Sequence, residues 1–302
     1  MSFSGTTKQR LTDVLPGRKC CRAALLYGML QGGRGFSVRE MAIQTEYGEV
    51  AALYNSLLDE VCGVRTLTEK GVFTIVSVRA DDRAKVLAFF GHTSQELSVR
   101  LSRANFHCDD CTAAYLRGLF LSCGAVSNPE TDYHLEFNVP SLTLSRDVLS
   151  LWEELGYDAK SIRRKGDNVI YFKDSTVIEE CLTLMGASAS ALELMQIKMF
   201  KDLRNRTNRA ANCDMANLSK VVAAGEEHRR ALEVIRTHGG FTSLPDDLQE
   251  LAQLRWDNPQ ISLRDLGELL DPPLTRSGVN HRLKRICDIA ARIKAEDAAL
   301  RT

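Results

Sequence analysis

The stretch CRAALLYGMLQGGRGFS, Cys21 to Ser37, returns ninety residues later as CTAAYLRGLFLSCGAVS, Cys111 to Ser127. Six of the seventeen positions are identical without a gap, which restricts the chain to folds built from two related halves. Both copies read as helix through their first dozen residues. Ala24, Gly28 and Gly32 fall at i, i+4 and i+8, and so do Ala114, Gly118 and Ser122, so each helix carries a stripe of small residues along one face. Small residues let two helix backbones approach closely. The larger Leu26, Leu30, Leu116, Leu119 and Phe120 lie beside the stripes and enter the cores of their own halves. The pattern predicts two halves whose first helices pack together about a pseudo-twofold axis.

The segments downstream of each helix support duplication. After the first come an extended stretch (FSVREMAIQTE), a helix (EVAALYNSLLDEVCG), a hairpin (TLTEKGVFTIVSV) and a helix (DDRAKVLAFFG). After the second come YHLEFNV, SRDVLSLWEELG, KSIRRKGDNVIYFK and STVIEECLTLMG, in the same order of types. Lys70-Gly71 and Lys165-Gly166 mark matching turns. The reading is an α+β duplication. Lys and Arg together number 39 and so do Asp and Glu, so any basic surface must be local. No apolar run approaches the ~18 residues of a spanning helix, and the N-terminus lacks the apolar core of a signal peptide. We expect no membrane association. Nine unevenly spaced cysteines read as reduced thiols of a cytoplasmic protein.

Paired helices that end in a Gly-rich turn and feed a four-stranded sheet resemble the LAGLIDADG homing-endonuclease fold. In active members each interfacial helix ends in an acidic residue that binds Mg²⁺ at the twofold axis. Over LYGMLQGGR those positions fall on Gln31 and Gly33, and over LRGLFLSCG on Leu121 and Cys123. None is a carboxylate, and hard divalent cations need oxygen ligands. The resemblance thus implies the scaffold without the nuclease, and we assign no enzymatic activity and no catalytic residue.

From Ala187 the chain reads as one or two helices joining domains. Lys198, Lys201, Arg204, Arg206 and Arg209 cluster with only Asp202 opposing; the cluster admits phosphate contact or a solvated helix face. Asn205, Asn208, Asn212 and Asn217 fit capping or turn roles as well as recognition. Beyond them, LPDDLQELAQLRWDNP places Pro245 at a helix N1 position and ends before Pro259. SLRDLGELLDPP pairs Ser262 with Asp265 in a near capping box. LTRSGVNHRLKRICDIAARI carries Val279, Leu283, Ile286, Ile289 and Ile293 as a core stripe. Residues 272 to 294 hold six Lys/Arg against one acid. Three short helices with a basic, amphipathic last one read as a helix-turn-helix; the alternative is a small bundle that docks protein. Its last helix would enter the major groove of double-stranded DNA. Arg276 suits guanine and Asn280 adenine. Ser277 and His281 share their outward end of the helix, and Arg282, Lys284 and Arg285 suit phosphates.

YLRGLFLSCGAVSNPETDYHLEF (Tyr115–Phe137), NRTNRAANCDMANLSK (Asn205–Lys220) and ISLRDLGELLDPPLTRSGVNHRLKRI (Ile261–Ile286) together resemble the WhiA family of sporulation and cell-division regulators. The resemblance spans nearly all of residues 1 to 295. It implies a degenerate LAGLIDADG domain, a linker and a helix-turn-helix of sigma-factor region 4 type. It also implies sequence-specific DNA binding in the nucleoid and roles in division, chromosome segregation and, in spore formers, sporulation. RNA polymerase sigma factor and an iron–sulfur co-regulator are the protein partners it brings into view; neither is placed on residues of this chain. The expected domains are 1–104 and 105–186 for the two repeats, 187–225 for the linker and 226–302 for the helix-turn-helix. The runner-up is a division- or polymerase-associated adaptor with weak DNA binding.

Two further groups carry potential chemistry. Cys108 and Cys111 form a CxxC beside His107, with Cys20-Cys21 at the equivalent place in the first half. Thiolates and imidazole suit zinc, but a single CxxC without a second pair at finger spacing reads as helix-start packing, so no metal ligand and no cofactor is assigned. His92, His134, His228 and His238 lack the neighbours that argue catalysis. Lys160, Arg163, Arg164 and Lys165 decorate the second hairpin, as a solvated turn or a retained phosphate contact.

Overall fold

The computed structural model describes residues 2–93, 96, 100–164 and 166–300. Lys165, assigned from sequence to a turn and a basic hairpin, lies outside them. The chain divides into two compact units, Met1–Asp202 and Leu203–Thr302.

The first unit opens on α1 (Phe3–Asp13), a helix that no sequence pattern marked. Ser2 caps it, its hydroxyl accepting from the Gly5 amide at 3.1 Å. Then come α2 (Lys19–Gln31), β1 (Arg34–Phe36), β2 (Met41–Thr45), α3 (Gly48–Cys62), β3 (Thr66–Lys70), β4 (Thr74–Val78) and α4 (Ala80–Phe89). The series repeats as α5 (Asp110–Cys123), β5 (Gly124–Val126), β6 (Leu135–Val139), α6 (Leu142–Glu154), β7 (Lys160–Arg164), β8 (Asp167–Phe172) and α7 (Ser175–Leu184). The two antiparallel sheets have the same topology, β1-β2-β4-β3 and β5-β6-β8-β7. Each sheet turns one face inward: Ile43, Val76 and Val78 in the first, Leu135, Phe137 and Ile170 in the second. The duplication read from the sequence is the architecture of the unit.

The repeats join where α2 crosses α5. A Cβ on Gly28 would lie 2.0 Å from the Tyr115 carbonyl oxygen and 2.8 Å from the Leu119 nitrogen. A Cβ on Gly118 would lie 2.0 Å from the Leu25 oxygen and 2.9 Å from the Met29 nitrogen. Shifting each residue by ninety maps one contact set onto the other, so the crossing is pseudo-twofold. Ala24 and Ala114 are buried on the same faces. Gly32 caps α2, and a Cβ there would meet Ser122 Oγ. The small-residue stripes are the seam, and at Gly28 and Gly118 backbone meets backbone without side chains between.

In the C-terminal part, α8 (Ser188–Thr237) is one long helix whose residues through Asp202 belong to the first unit and from Leu203 to the second. The second unit continues with a 3₁₀ turn at Phe241–Ser243, α9 (Asp246–Asp257), α10 (Leu263–Glu268) and α11 (Arg276–Leu300). Its core joins Leu232 and Ile235 of α8 to Leu248 and Leu251, Leu266 and Leu270, and Val279, Leu283, Ile286 and Ala290. Ala290 takes the fully buried place that the sequence stripe gave to Ile289, which is partly buried. Pro245 is the N-cap of α9 rather than its first helical residue, because its ψ of 145° is still extended. Ser262 caps α10 as expected: it accepts from the Asp265 amide at 3.2 Å and donates to the Asp265 carboxylate at 2.8 Å. Among the described residues, no helix is long and apolar enough to cross a membrane.

Candidate nucleic-acid interface

The geometry of α11 follows from its packing. Val279, Leu283, Ile286 and Ala290 fix one face against the unit's core. A helix pinned along that line presents i, i+4 and i+8 of the opposite side together. Arg276, Ser277, Asn280, His281 and Lys284 are all exposed, and they gather on the N-terminal half of the helix. Thr275 starts the helix, its hydroxyl accepting from the Gly278 amide at 3.2 Å. The turn before it is tight. Leu274 donates its amide to the Gly267 carbonyl at 2.9 Å, and a Cβ on Gly267 would lie 2.2 Å from the Leu274 oxygen. Glycine at 267 lets the end of α10 meet the chain just before α11, which is how a helix-turn-helix closes.

Arg282 and Arg285 stand apart from this group. Arg282 Nη1 donates to the Asp247 carbonyl at 2.9 Å, and Arg285 donates to the Asp247 carboxylate at 2.5 Å. The sequence pattern groups both with Lys284 as phosphate ligands. The fold instead turns them to the flank that faces the start of α9, because the helix rotates them away from residues 276 to 281. The Arg285–Asp247 ion pair is half-exposed and of the class worth about 0–1 kcal/mol.

Tertiary structure also adds residues that no local pattern marked. A cavity of about 570 Å³ is lined by Lys220 and Asn217 of α8, the cap Ser262 and Arg264 of α10, and Arg276 and Asn280 of α11. Two base-reading candidates therefore share a groove with cations from other helices. The basic run near residue 200 divides. Lys198 reaches Thr176 Oγ1 at 3.0 Å and Glu179 at 3.4 Å, and Lys201 donates to the Pro129 carbonyl at 2.8 Å. These two serve their own unit, while Arg204, Arg206 and Arg209 are exposed. On the second sheet all of β7 is exposed, Lys160, Arg163 and Arg164 included.

The positions where a LAGLIDADG nuclease would hold metal are occupied otherwise. Gln31 is buried; its amide donates to Tyr27 Oη at 3.0 Å and to the Arg100 carbonyl at 3.1 Å. Its carbonyl accepts from Tyr115 Oη at 2.7 Å. His92 joins the network through Tyr27 at 2.8 Å, so it is a satisfied core histidine. Burial pushes the Tyr27 phenol up to about 12 and that of Tyr115 well above its ordinary value. Both are neutral donors and acceptors at physiological pH. Gly33 has no room for any side chain, since a Cβ there would lie 2.5 Å from the Ala42 oxygen. Leu121 is fully buried, and the Cys123 thiol donates to the Leu119 carbonyl at 3.3 Å. The geometry offers no carboxylate oxygen at the four positions.

The opposite ends of the same two helices hold a different group. The sulfurs of Cys20, Cys21, Cys108 and Cys111 all lie within 4.8 Å of one another. Cys21 and Cys111 are buried, as helix-start packing requires, but the two dyads converge on one point, which the spacing did not reveal. The Arg18 guanidinium beside Cys108 holds its thiol down at about 6.

Fold and surfaces together define a degenerate LAGLIDADG-like domain followed by a helix-turn-helix domain. Sequence comparison agrees: residues 112–204 match the WhiA LAGLIDADG-like domain and residues 207–290 the WhiA C-terminal HTH domain. The chain is 35% identical over 266 residues to a protein of Clostridium botulinum named probable cell division protein WhiA, covering 83% of this chain and 84% of that one. It is 33% identical over 308 residues to the protein of that name from Carboxydothermus hydrogenoformans, covering 97% and 98%. The chain belongs to the WhiA family. The crystal structure of full-length DUF199/WhiA from Thermatoga maritima shares the fold, with a TM-score of 0.57 at 24% identity over 97% of this chain and 99% of that one.

Proposed function

We propose that this protein is a sequence-specific double-stranded DNA-binding transcription regulator of the cell-division programme, acting through α11 and without nuclease chemistry. The observation that carries the reading is the outward cluster of Arg276, Ser277, Asn280, His281 and Lys284 on a helix whose other face is locked into a helix-turn-helix core. The N-terminal half of such a helix reads base edges. Asn280 offers the paired donor and acceptor that adenine N6 and N7 require, and Arg276 the fork that suits guanine O6 and N7. Lys284 lies a turn further along and meets phosphate. Arg282 and Arg285 join the phosphate contacts by exchanging Asp247 for the DNA backbone. Lys220 and Arg264 extend the positive surface beside Arg276.

Division as the regulated process follows the name carried by the relatives; chromosome segregation and sporulation follow the family resemblance. An RNA polymerase sigma factor or an iron–sulfur co-regulator is the class of protein partner in keeping with that role. The N-terminal unit supports an architectural task, since glutamine, glycine, leucine and cysteine replace the metal-binding acids. The adaptor reading has one observation in its favour: Leu192, Met195, Met199 and Phe200 of α8 are exposed, between 44% and 65%.

Titration of Asn280→Ala and Lys284→Ala against cognate and scrambled duplexes, at several salt concentrations, tests the proposal. Asn280→Ala should cost about 1–3 kcal/mol on the cognate site and little elsewhere. Lys284→Ala should weaken both duplexes alike and lower the salt slope by about one. Equal losses on both duplexes for both variants would make α11 an electrostatic anchor and refute base reading. Affinity without salt dependence would favour the adaptor.

A further inference from the structure

We propose that Cys20, Cys21, Cys108 and Cys111 form a structural zinc site that clips the two repeats together at the N-terminal ends of α2 and α5. Five of the six sulfur–sulfur distances are 4.0 Å for Cys20–Cys21, 3.6 Å for Cys20–Cys108, 3.4 Å for Cys21–Cys108, 4.0 Å for Cys21–Cys111 and 3.6 Å for Cys108–Cys111. The sixth is within 4.8 Å. A tetrahedral zinc with Zn–S bonds of about 2.3 Å sets its sulfurs about 3.8 Å apart. The thiols already stand at the corners of that tetrahedron. An iron–sulfur cluster, with several metal ions inside the thiolate shell, needs a wider cage.

The surroundings suit the charge. Four thiolates and one Zn²⁺ carry a net charge of minus two. Two helix N-termini, each with a partial positive charge, end at the cluster. The Arg18 guanidinium lies beside Cys108 and pairs with the Asp110 carboxylate at 3.3 Å. The ligand set is not an echo of the duplication. Cys21 and Cys111 are equivalent in the two repeats, but the position equivalent to Cys20 is Asp110 and that equivalent to Cys108 is Arg18. Each repeat contributes the shared cysteine and one of its own, so that four ligands arise from two unlike pairs. Four protein ligands close the coordination sphere, which marks a structural rather than a catalytic site. Cys21 and Cys111 are buried while Cys20 and Cys108 are half-buried, so the site lies at the edge of the core, where an ion can enter. The remaining cysteines, Cys62, Cys123, Cys181, Cys213 and Cys287, are not in the cluster.

The test uses the full chain, purified reduced and without oxygen. Elemental analysis should find one zinc per chain. Cobalt substituted for zinc should give the sulfur-to-cobalt charge transfer and intense visible bands of a tetrahedral tetrathiolate. Alkylation mapped by mass spectrometry avoids any folding defect of cysteine variants: added zinc should protect Cys20, Cys21, Cys108 and Cys111 and leave the exposed Cys213 equally labelled. A strong chelator should expose the four together. Identical labelling with and without zinc overturns the proposal. So do full zinc content in Cys108→Ser/Cys111→Ser or a chromophore of bound iron at these thiols.

Discussion

The crossing of α2 and α5 can be tested by adding one methyl group. In Gly118→Ala the new Cβ would lie 2.0 Å from the Leu25 carbonyl oxygen, well inside ordinary van der Waals contact. That oxygen belongs to a helix backbone and cannot rotate aside, so the two helices must separate. Overpacking a tight interior costs about 1–3 kcal/mol, and a backbone obstacle puts this site at the upper end, near ~3 kcal/mol. Alanine returns about 1 kcal/mol through its helix propensity, leaving a net loss of about 2 kcal/mol. For a unit of this size that lowers the melting temperature by about 4–8 °C. The two tryptophans separate the readouts, because Trp152 is buried in the first unit and Trp256 lies in the second. Thermal unfolding followed by Trp152 fluorescence in a Trp256→Phe background therefore reports the repeats alone. Gly48→Ala is the matched control, since nothing lies within 4 Å of a Cβ there, and it should leave the midpoint unchanged or slightly raised. Gly28 forms the other side of the same contact, so the double Gly28→Ala/Gly118→Ala variant should lose less than the sum of the singles. A Gly118→Ala midpoint equal to that of Gly48→Ala would refute a backbone-to-backbone seam.

Single side chains elsewhere have their own measurable consequences. Burial lowers the Lys8 ammonium to about 8, against an ordinary value of 10.5; the penalty is complete below pH 8 and relieved as pH rises towards 10.5. The first unit should accordingly gain roughly 2–3 kcal/mol relative to Lys8→Met between pH 7 and 10, and parallel pH curves for the two proteins would contradict it. His228 is buried, which with nearby Arg255 lowers its pKa, and its Nδ1 has no hydrogen-bond partner among the described residues; the unfolded chain takes up its proton first as pH falls below about 6.5. Melting of the second unit should then be less acid-sensitive in His228→Leu than in the wild type, and equal sensitivity down to pH 5 would show that His228 is not the group being protonated. Asp247→Ala removes the carboxylate that holds Arg285 and leaves Arg282 on the backbone carbonyl; affinity for random duplex should rise and the salt slope steepen by up to about one, and an unchanged slope would place Arg285 outside the phosphate contacts.

Local chemistry determined much of this protein directly from its sequence. The ungapped repeat, the order of helices and strands, the Ser262 cap and the Val279–Leu283–Ile286 stripe each depend on residues a few positions apart, where helical and pleated periods act. The small-residue stripes even foretold which helix faces would meet, because only glycine and alanine let backbones touch along a line. The exposed Arg276, Ser277, Asn280, His281 and Lys284 were legible for the same reason: a buried stripe dictates its opposite face. Tertiary structure alone decided the rest. It sent Arg282 and Arg285 to Asp247, thirty-five and thirty-eight residues back, and committed Lys198 and Lys201 to the first unit. It placed Lys220 and Arg264 beside Arg276. It drew Cys20 and Cys21 to Cys108 and Cys111 across separations of 87 residues and more. Spacing along a chain carries the angle around one helix but not the distance between two, and those four sulfurs meet only because Gly28 and Gly118 bring their helices into contact.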